Sequence, residues 1–228
     1  MASSADKALV LLSGGLDSAT CLYWAKKRFS DVTAITFNYF GRVEGEKRAT
    51  SKLADSAGVS RIIEIELPFV KEASDFFRGK PKPPKAKLPL PSSYVPARNM
   101  MFYSIAAYHA EFLGVKSIVG GHNLHDTELF KDASRGYIDG LNALLKKGCL
   151  LCNGGVSDGS RGAYSIVLPL AKMRRREIIR LALRLKTPIE LTWSCHRDGR
   201  THCGRCYACR QRLEAFGSLG LVDPALAG

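Results

Sequence analysis

Long apolar runs are missing from this chain of 228 residues. No stretch approaches the ~18 residues that a helix needs to cross a bilayer. The apolar residues 8–12 are too few for the core of a secretory signal and run straight into a glycine-rich turn, so the expected location is the cytoplasm. Acidic residues are scarce, 21 against 34 Lys and Arg, which leaves a net charge of +13. That balance favours polyanionic partners such as nucleotides, RNA or DNA. Residues 171–228 hold 12 basic and 5 acidic side chains, 12 − 5 = +7 of the total. A nucleic-acid footprint and a plain solvated basic face both fit that excess. Internal repeats are absent. Seven cysteines in a chain expected in a reducing compartment argue against a disulfide framework and toward metal binding or catalysis.

Hydrophobic periodicity alternates strand with helix. Residues 8–12, 32–39, 61–65, 117–120 and 166–170 read as short strands. Residues 18–28, 44–57, 98–114, 135–147, 174–185 and 207–216 read as helices. This order predicts an α/β fold, a doubly wound parallel sheet with helices on both faces. Met101, Ile105, Tyr108 and Phe112 mark the expected inner face of the 98–114 helix. Ile178, Ile179 and Leu183 mark that of the 174–185 helix. Six of the ten prolines fall in residues 78–96, interleaved with Lys80, Lys82, Lys85 and Lys87, which predicts a long exposed loop. Residues 148–163 read as a polar, glycine-bearing loop. The expected division is a main domain over 1–190 and a cysteine-bearing segment over 191–228.

Ser13-Gly14-Gly15-Leu16-Asp17-Ser18 lies between the first strand and the first helix. Glycines there let a backbone approach a phosphate, and the helix N-terminus offers free N–H groups and the positive end of its dipole. Ser13 and Ser18 add hydroxyls. Asp17 repels an anion unless it holds a divalent ion, Mg2+ being the natural choice, or caps the helix. The string SGGLDS is the PP-loop motif of ATP pyrophosphatases and lacks the lysine of a Walker loop. Enzymes with this loop cleave ATP between the α- and β-phosphates, adenylating an acceptor oxygen.

Cys195, Cys203, Cys206 and Cys209 are spaced C-x7-C-x2-C-x2-C. Two overlapping C-x2-C steps fold back to present four thiolates, which suits Zn2+ in a closed structural site. An iron–sulfur cluster uses the same ligand set. Arg197, Arg200, Arg205 and Arg210 offset its negative charge, and His196 and His202 stand by as competing ligands. Cys149 and Cys152 form another C-x2-C around two leucines and read as packed apolar thiols. Cys21 reads as core.

Loop and cysteine cluster together resemble the 7-cyano-7-deazaguanine synthase, or QueC, family. Three more strings carry the likeness: Ser93-Tyr94-Val95-Pro96-Ala97-Arg98-Asn99, Leu191-Thr192-Trp193-Ser194-Cys195, and Cys203-Gly204-Arg205-Cys206-Tyr207-Ala208-Cys209-Arg210. The likeness spans residues 11–224. It implies an adenine nucleotide alpha hydrolase-like, Rossmann-like fold. The implied activity takes 7-carboxy-7-deazaguanine, ammonia and ATP to the 7-cyano base used in tRNA modification. The implied metal is Zn2+ on the four cysteines, and the implied assembly is a homodimer. By similarity, Ser13 to Ser18 hold the phosphates. Tyr39, Arg98, Asn99, His122, Asn123 and Asp132 lie at the nucleotide or acceptor site, and Arg175 stands where the family has a lysine.

The chain departs from the family where the acceptor is expected. Tyr39 is followed by Phe40, Gly41 and Arg42 rather than glycine and glutamine. Gly121-His122-Asn123 carries a histidine in place of valine or isoleucine. Of the family's aspartate-cysteine-arginine core, only Asp132 survives within residues 128–134. His122 and His125 follow a strand, where they serve as acid–base groups, as metal ligands or as packed histidines. Two other readings remain open: a related enzyme that adenylates another acceptor, and a zinc-bearing nucleic-acid-binding module.

Overall fold

Val10 and Ala8 of the first strand point to one side of the sheet and Leu9 to the other, and both sides are closed to water. That double burial is what a central parallel strand requires. A computed structural model of the chain describes residues 6–72, 94–149 and 164–226. Its strands are β1 (Lys7–Leu11), β2 (Asp31–Phe40), β3 (Arg61–Lys71), β4 (Ser117–Val119) and β5 (Ser165–Val167). Its helices are α1 (Leu16–Lys26), α2 (Glu44–Ser56), α3 (Arg98–Leu113), α4 (Leu124–Leu129), α5 (Arg135–Gly148), α6 (Arg175–Arg184) and α7 (Tyr207–Gly217). One-turn 3-10 helices cover Lys131–Ala133 and Ile189–Leu191.

The sheet order is β3-β2-β1-β4-β5 and every pairing is parallel. The chain reverses its winding between β1 and β4, so a crevice opens beyond their C-terminal ends, where open α/β sheets bind ligands. One core cluster joins Leu9, Ile35, Phe37 and Ile118 to Tyr103, Ala106 and Ala110 of α3 and Ile138 and Leu141 of α5. The other joins Ala8, Val10, Ala34 and Val119 to Ala19 and Leu22 of α1, Leu53 of α2 and Ile178 and Leu181 of α6. The doubly wound architecture expected from the sequence is therefore present.

Three local expectations are corrected. In α3 the buried face is Asn99, Tyr103, Ala106, Ala107 and Ala110, while Tyr108 and Phe112 are exposed at 60% and 76%. Small residues let the helix sit close on the sheet, and the large rings turn outward and pack on each other. In α6, Ile178 and Ile179 are buried as expected, but Leu183 is exposed and Leu181 and Ala182 take its place. Cys149 is buried but disulfide-bonded rather than a packed thiol. Cys152 lies outside the described residues, as do most of the 78–96 and 148–163 loops. Among the described residues no helix is long and apolar enough to cross a membrane.

Candidate active site

The crevice at the β1/β4 switch point is a cleft of about 410 Å3. One wall is the turn from β1 into α1, and the facing wall is Gly121 and His122 beyond β4. Gly14 has φ +90°, and a Cβ there would meet the Glu46 carbonyl oxygen at 2.5 Å. Only glycine fits. The carbonyls of this turn are all engaged. The Ser13 oxygen accepts from Arg42 Nη2 (3.1 Å) and the Gly14 oxygen from Trp193 N–H (2.9 Å). The Gly15 oxygen accepts from Ser18 Oγ (3.0 Å) and Ala19 N–H (2.9 Å). The N–H groups of Leu16, Asp17 and Ser18 open α1 and have no acceptor within the helix. Ser13 Oγ and Ser18 Oγ stand 3.1 Å apart between them. Donors collect on the cleft side, which is what an anion needs. Leu16 also plugs inward against Ile179 and Phe216, fixing the pitch of α1.

Asp17 lines the cleft, and its carboxylate accepts from Asn123 Nδ2 at 2.8 Å. Burial lifts its pKa, opposed by the Asn123 bond and by the Arg175 charge. Asn123 is fully committed: its Oδ1 accepts from Asp126 N–H, and Asp126 returns a bond to the Asn123 N–H, closing a capping box on α4. It positions Asp17 rather than facing the cleft. His122 does line the cleft, edge-on to Tyr103 with ring centroids 5.8 Å apart. Burial lowers its pKa, which leaves a neutral imidazole. His125 stays out of the cleft and borders the neighbouring grooves.

Ala97 turns left-handed (φ 51°) immediately before α3, and Arg98 and Asn99 then enter the cleft. Asp132 does not line it. Its carboxylate accepts the Asn99 N–H at 3.2 Å, and it borders a second hollow, also about 410 Å3. That hollow adjoins the cleft through Arg98, Asp126 and Arg175, and Val95, Leu129 and Phe130 form its apolar wall. Tyr39 lines the cleft beside Phe102, which stacks on Phe37 at 4.1 Å and 3°. Burial raises the Tyr39 pKa, helped by Glu46.

Two cleft residues escape the sequence reading. Arg42 is buried behind the β1–α1 turn, and Arg212 of α7 is buried on the opposite side. Arg212 binds Asp223 through Nε (2.5 Å) and Nη2 (3.0 Å), and gives further bonds to Thr192 Oγ1, Ser194 Oγ and the Ile189 carbonyl. A signal for Arg212 was available: Cys209, Arg212 and Phe216 share one helical face, and all three are buried.

The four sulfurs of Cys195, Cys203, Cys206 and Cys209 lie within 4.8 Å of one another. Backbone N–H groups of Arg197, Cys206 and Cys209 point at three of them. The N–H groups of Arg205 and Cys206 hold the Cys203 thiol down to about 6. Burial, with Cys206 alongside, pushes Cys209 up to about 12. This set can hold a metal ion. His202 is not among the ligands: its Nε2 accepts from Ser194 N–H at 3.1 Å, and its ring lies 4.4 Å from that of Trp193. His196 borders the hollow. The Trp193 indole in turn lies against Gly45, where no Cβ could fit. The cysteine segment is thereby pressed onto α2 and the β1–α1 turn.

The chain is 38% identical to the 7-cyano-7-deazaguanine synthase of Thermosynechococcus vestitus, over 96% of this chain and 94% of that one. It is 37% identical to the synthase of the same name from Thermoplasma acidophilum, over 96% of this chain and 90% of that one. Among solved structures it resembles one described as a predicted subunit of tRNA methyltransferase from Methanocaldococcus jannaschii. There the TM-score is 0.50 at 15% identity, over 98% of this chain and 92% of that one, a likeness of fold alone. The model of the family described as queuosine biosynthesis protein QueC matches residues 7–220. This chain belongs to the QueC family.

Proposed function

We propose that the chain converts 7-carboxy-7-deazaguanine and ammonia to 7-cyano-7-deazaguanine at the expense of ATP, in queuosine or archaeosine biosynthesis. Membership of the family over nearly the whole chain carries this reading, and the cleft gives it a mechanism. A substrate carboxylate oxygen attacks the α-phosphorus of ATP, and pyrophosphate leaves. Ammonia displaces AMP to give the amide and a proton. A second ATP activates the amide oxygen. Its departure with AMP, and loss of the nitrogen's protons, leaves the nitrile.

Ser13 to Ser18 bind the departing pyrophosphate through N–H groups and hydroxyls preset for charge that develops as it leaves. Arg98 and Arg175 line both the cleft and the hollow, which suits them to hold an α-phosphate in one and a carboxylate in the other. A planar guanidinium suits both groups. The hollow takes the deazapurine, with Asp132 and Phe130 on its wall. His122 lines the cleft as a neutral imidazole and can accept a proton shed by the incoming nitrogen. Asp17 is a buried carboxylate lining the cleft, and it would hold the Mg2+ that accompanies ATP, supplying positive charge to the phosphates. The four cysteines would hold Zn2+ as a closed structural site. A single ion with Zn–S near ~2.3 Å spaces tetrahedral sulfurs at about 3.8 Å, close to the 4.0 Å between Cys195 and Cys206. A cubane cluster, with each thiolate on a different iron, spreads its sulfurs wider.

The test is pyrophosphate release from ATP with 7-carboxy-7-deazaguanine and ammonium, with mass spectrometry of the product. A nitrile formed together with AMP is the expected result. ATP cleavage only in the presence of tRNA would reassign the acceptor, and the altered stretch 128–134 is where that difference would reside.

A further inference from the structure

The Arg42 guanidinium is 2% exposed and lies under the phosphate turn. Its Nη1 donates to Thr36 Oγ1 (2.9 Å), the Phe37 carbonyl (3.0 Å) and Asn38 Oδ1 (2.7 Å) at the C-terminal end of β2. Its Nη2 donates to Thr50 Oγ1 of α2 (2.9 Å) and to the Ser13 carbonyl (3.1 Å). Its Nε faces Glu46 at 3.5 Å. One side chain thus ties the ends of β1 and β2 to α2. It also borders the cleft. Burying a cation costs free energy unless its donors are satisfied, and here every donor group has a partner.

The contact with Ser13 has a geometric consequence. A trans peptide is planar, with C=O and N–H on opposite edges. Holding the Ser13 oxygen toward Arg42 therefore turns the Gly14 N–H to the opposite edge. That N–H has no protein acceptor among the described residues. Trp193 does the same one peptide later by holding the Gly14 oxygen. Of the two, only Arg42 adds charge; the carboxylate facing its Nε, Glu46, is about a third exposed at the side chain (31%), and Glu44 acts on it from an exposed position.

We propose that Arg42 is a positioning residue for the pyrophosphate half of ATP: it sets the first peptide of the phosphate turn and places a buried positive charge behind it. This rests on reading the Ser13–Ser18 turn as the pyrophosphate cradle. The role predicts a split that simple destabilisation does not produce. Groups bound by the turn should suffer, and groups bound elsewhere in the cleft should not.

Calorimetric titration of the folded protein with magnesium pyrophosphate and, separately, with AMP reads this split without needing the acceptor. Arg42→Lys keeps the charge and loses the fork. Pyrophosphate should bind it ~10–100-fold more weakly, the worth of a charge-assisted bond with its geometry lost, while AMP affinity stays within about twofold. Arg42→Gln should lose more. If Gln prevents folding, the Lys variant alone decides. Equal weakening of both ligands, or unchanged pyrophosphate binding in a folded variant, overturns the proposal. Failure of the wild-type protein to bind pyrophosphate would instead overturn the reading of the turn, and this proposal with it.

Discussion

The phosphate end of the cleft and the hollow beside it are built by different means. At the phosphate end every turn carbonyl is tied down, the partners come from Arg42 ahead of α2, from Trp193 and from α1 itself, and the Arg42 and Trp193 side chains are buried. The hollow is walled by α4, a helix of six residues with none buried, and by a one-turn 3-10 helix. Leu129 on its wall is 57% exposed. Rigid, over-connected backbone suits a ligand part that never changes, the triphosphate. A loosely backed wall suits a part that differs between relatives, and it is there that this chain leaves the family's pattern.

The comparison breaks most visibly at Asp17. Asp17→Asn should cut pyrophosphate release ~1000-fold or more, on the scale of losing a preset electrostatic group. It should also raise the melting temperature at neutral pH. Burial raises the folded-state pKa of this carboxyl above its unfolded value. The charged form therefore costs stability above the folded pKa, and the cost disappears as pH falls below the unfolded value. Melting curves at pH 8 and in acid should show the stabilisation shrink to nothing in acid.

Arg212→Met leaves Asp223 buried and unpaired, and should cost ~3–5 kcal/mol in denaturant unfolding. The double variant with Asp223→Leu should recover most of it. A loss under ~1 kcal/mol for the single variant would mean that the C-terminal segment does not brace the cleft.

Cys206→Ser should lower bound metal and melting temperature together. It should also weaken ATP binding severalfold, because the metal segment holds Gly14 through Trp193. Retained metal would refute the four-cysteine site.

The smallest effect is expected in the hollow. Leu129→Ala should change stability by less than ~1 kcal/mol and leave the KM for ATP alone, while raising that for the deazapurine. A matching rise in both would erase the distinction between the two regions.

Legibility followed the same division. The turn was readable because it is local: apolar strand, two glycines, helix start. The cysteines were readable because their spacing is their chemistry. Arg42 was visible only as a departure from a family string, because its partners Ser13 and Thr50 lie on other elements. β3 runs to Lys71 rather than stopping at Ile65, because an edge strand tolerates Pro68 and an outward Glu66 that look like an end. α4 carried its own start signal, the pair Asn123 and Asp126, but it is too short for apolar periodicity to register. The face of α3 is not legible from spacing alone: large apolar residues line one side of the helix, but close helix–sheet contact selects the side that carries alanine.

The hydrogen bond from Trp193 to Gly14 also has a consequence for biogenesis. The central strands and their helices lie upstream of residue 190, so a nascent chain can lay down the sheet while the glycine turn still lacks one of its braces. That brace arrives only when Trp193, and with it Cys195, leaves the ribosome. On the proposed reading, competence to grip a nucleotide is thus acquired late in synthesis, and a chain interrupted before that point should form the sheet without holding ATP.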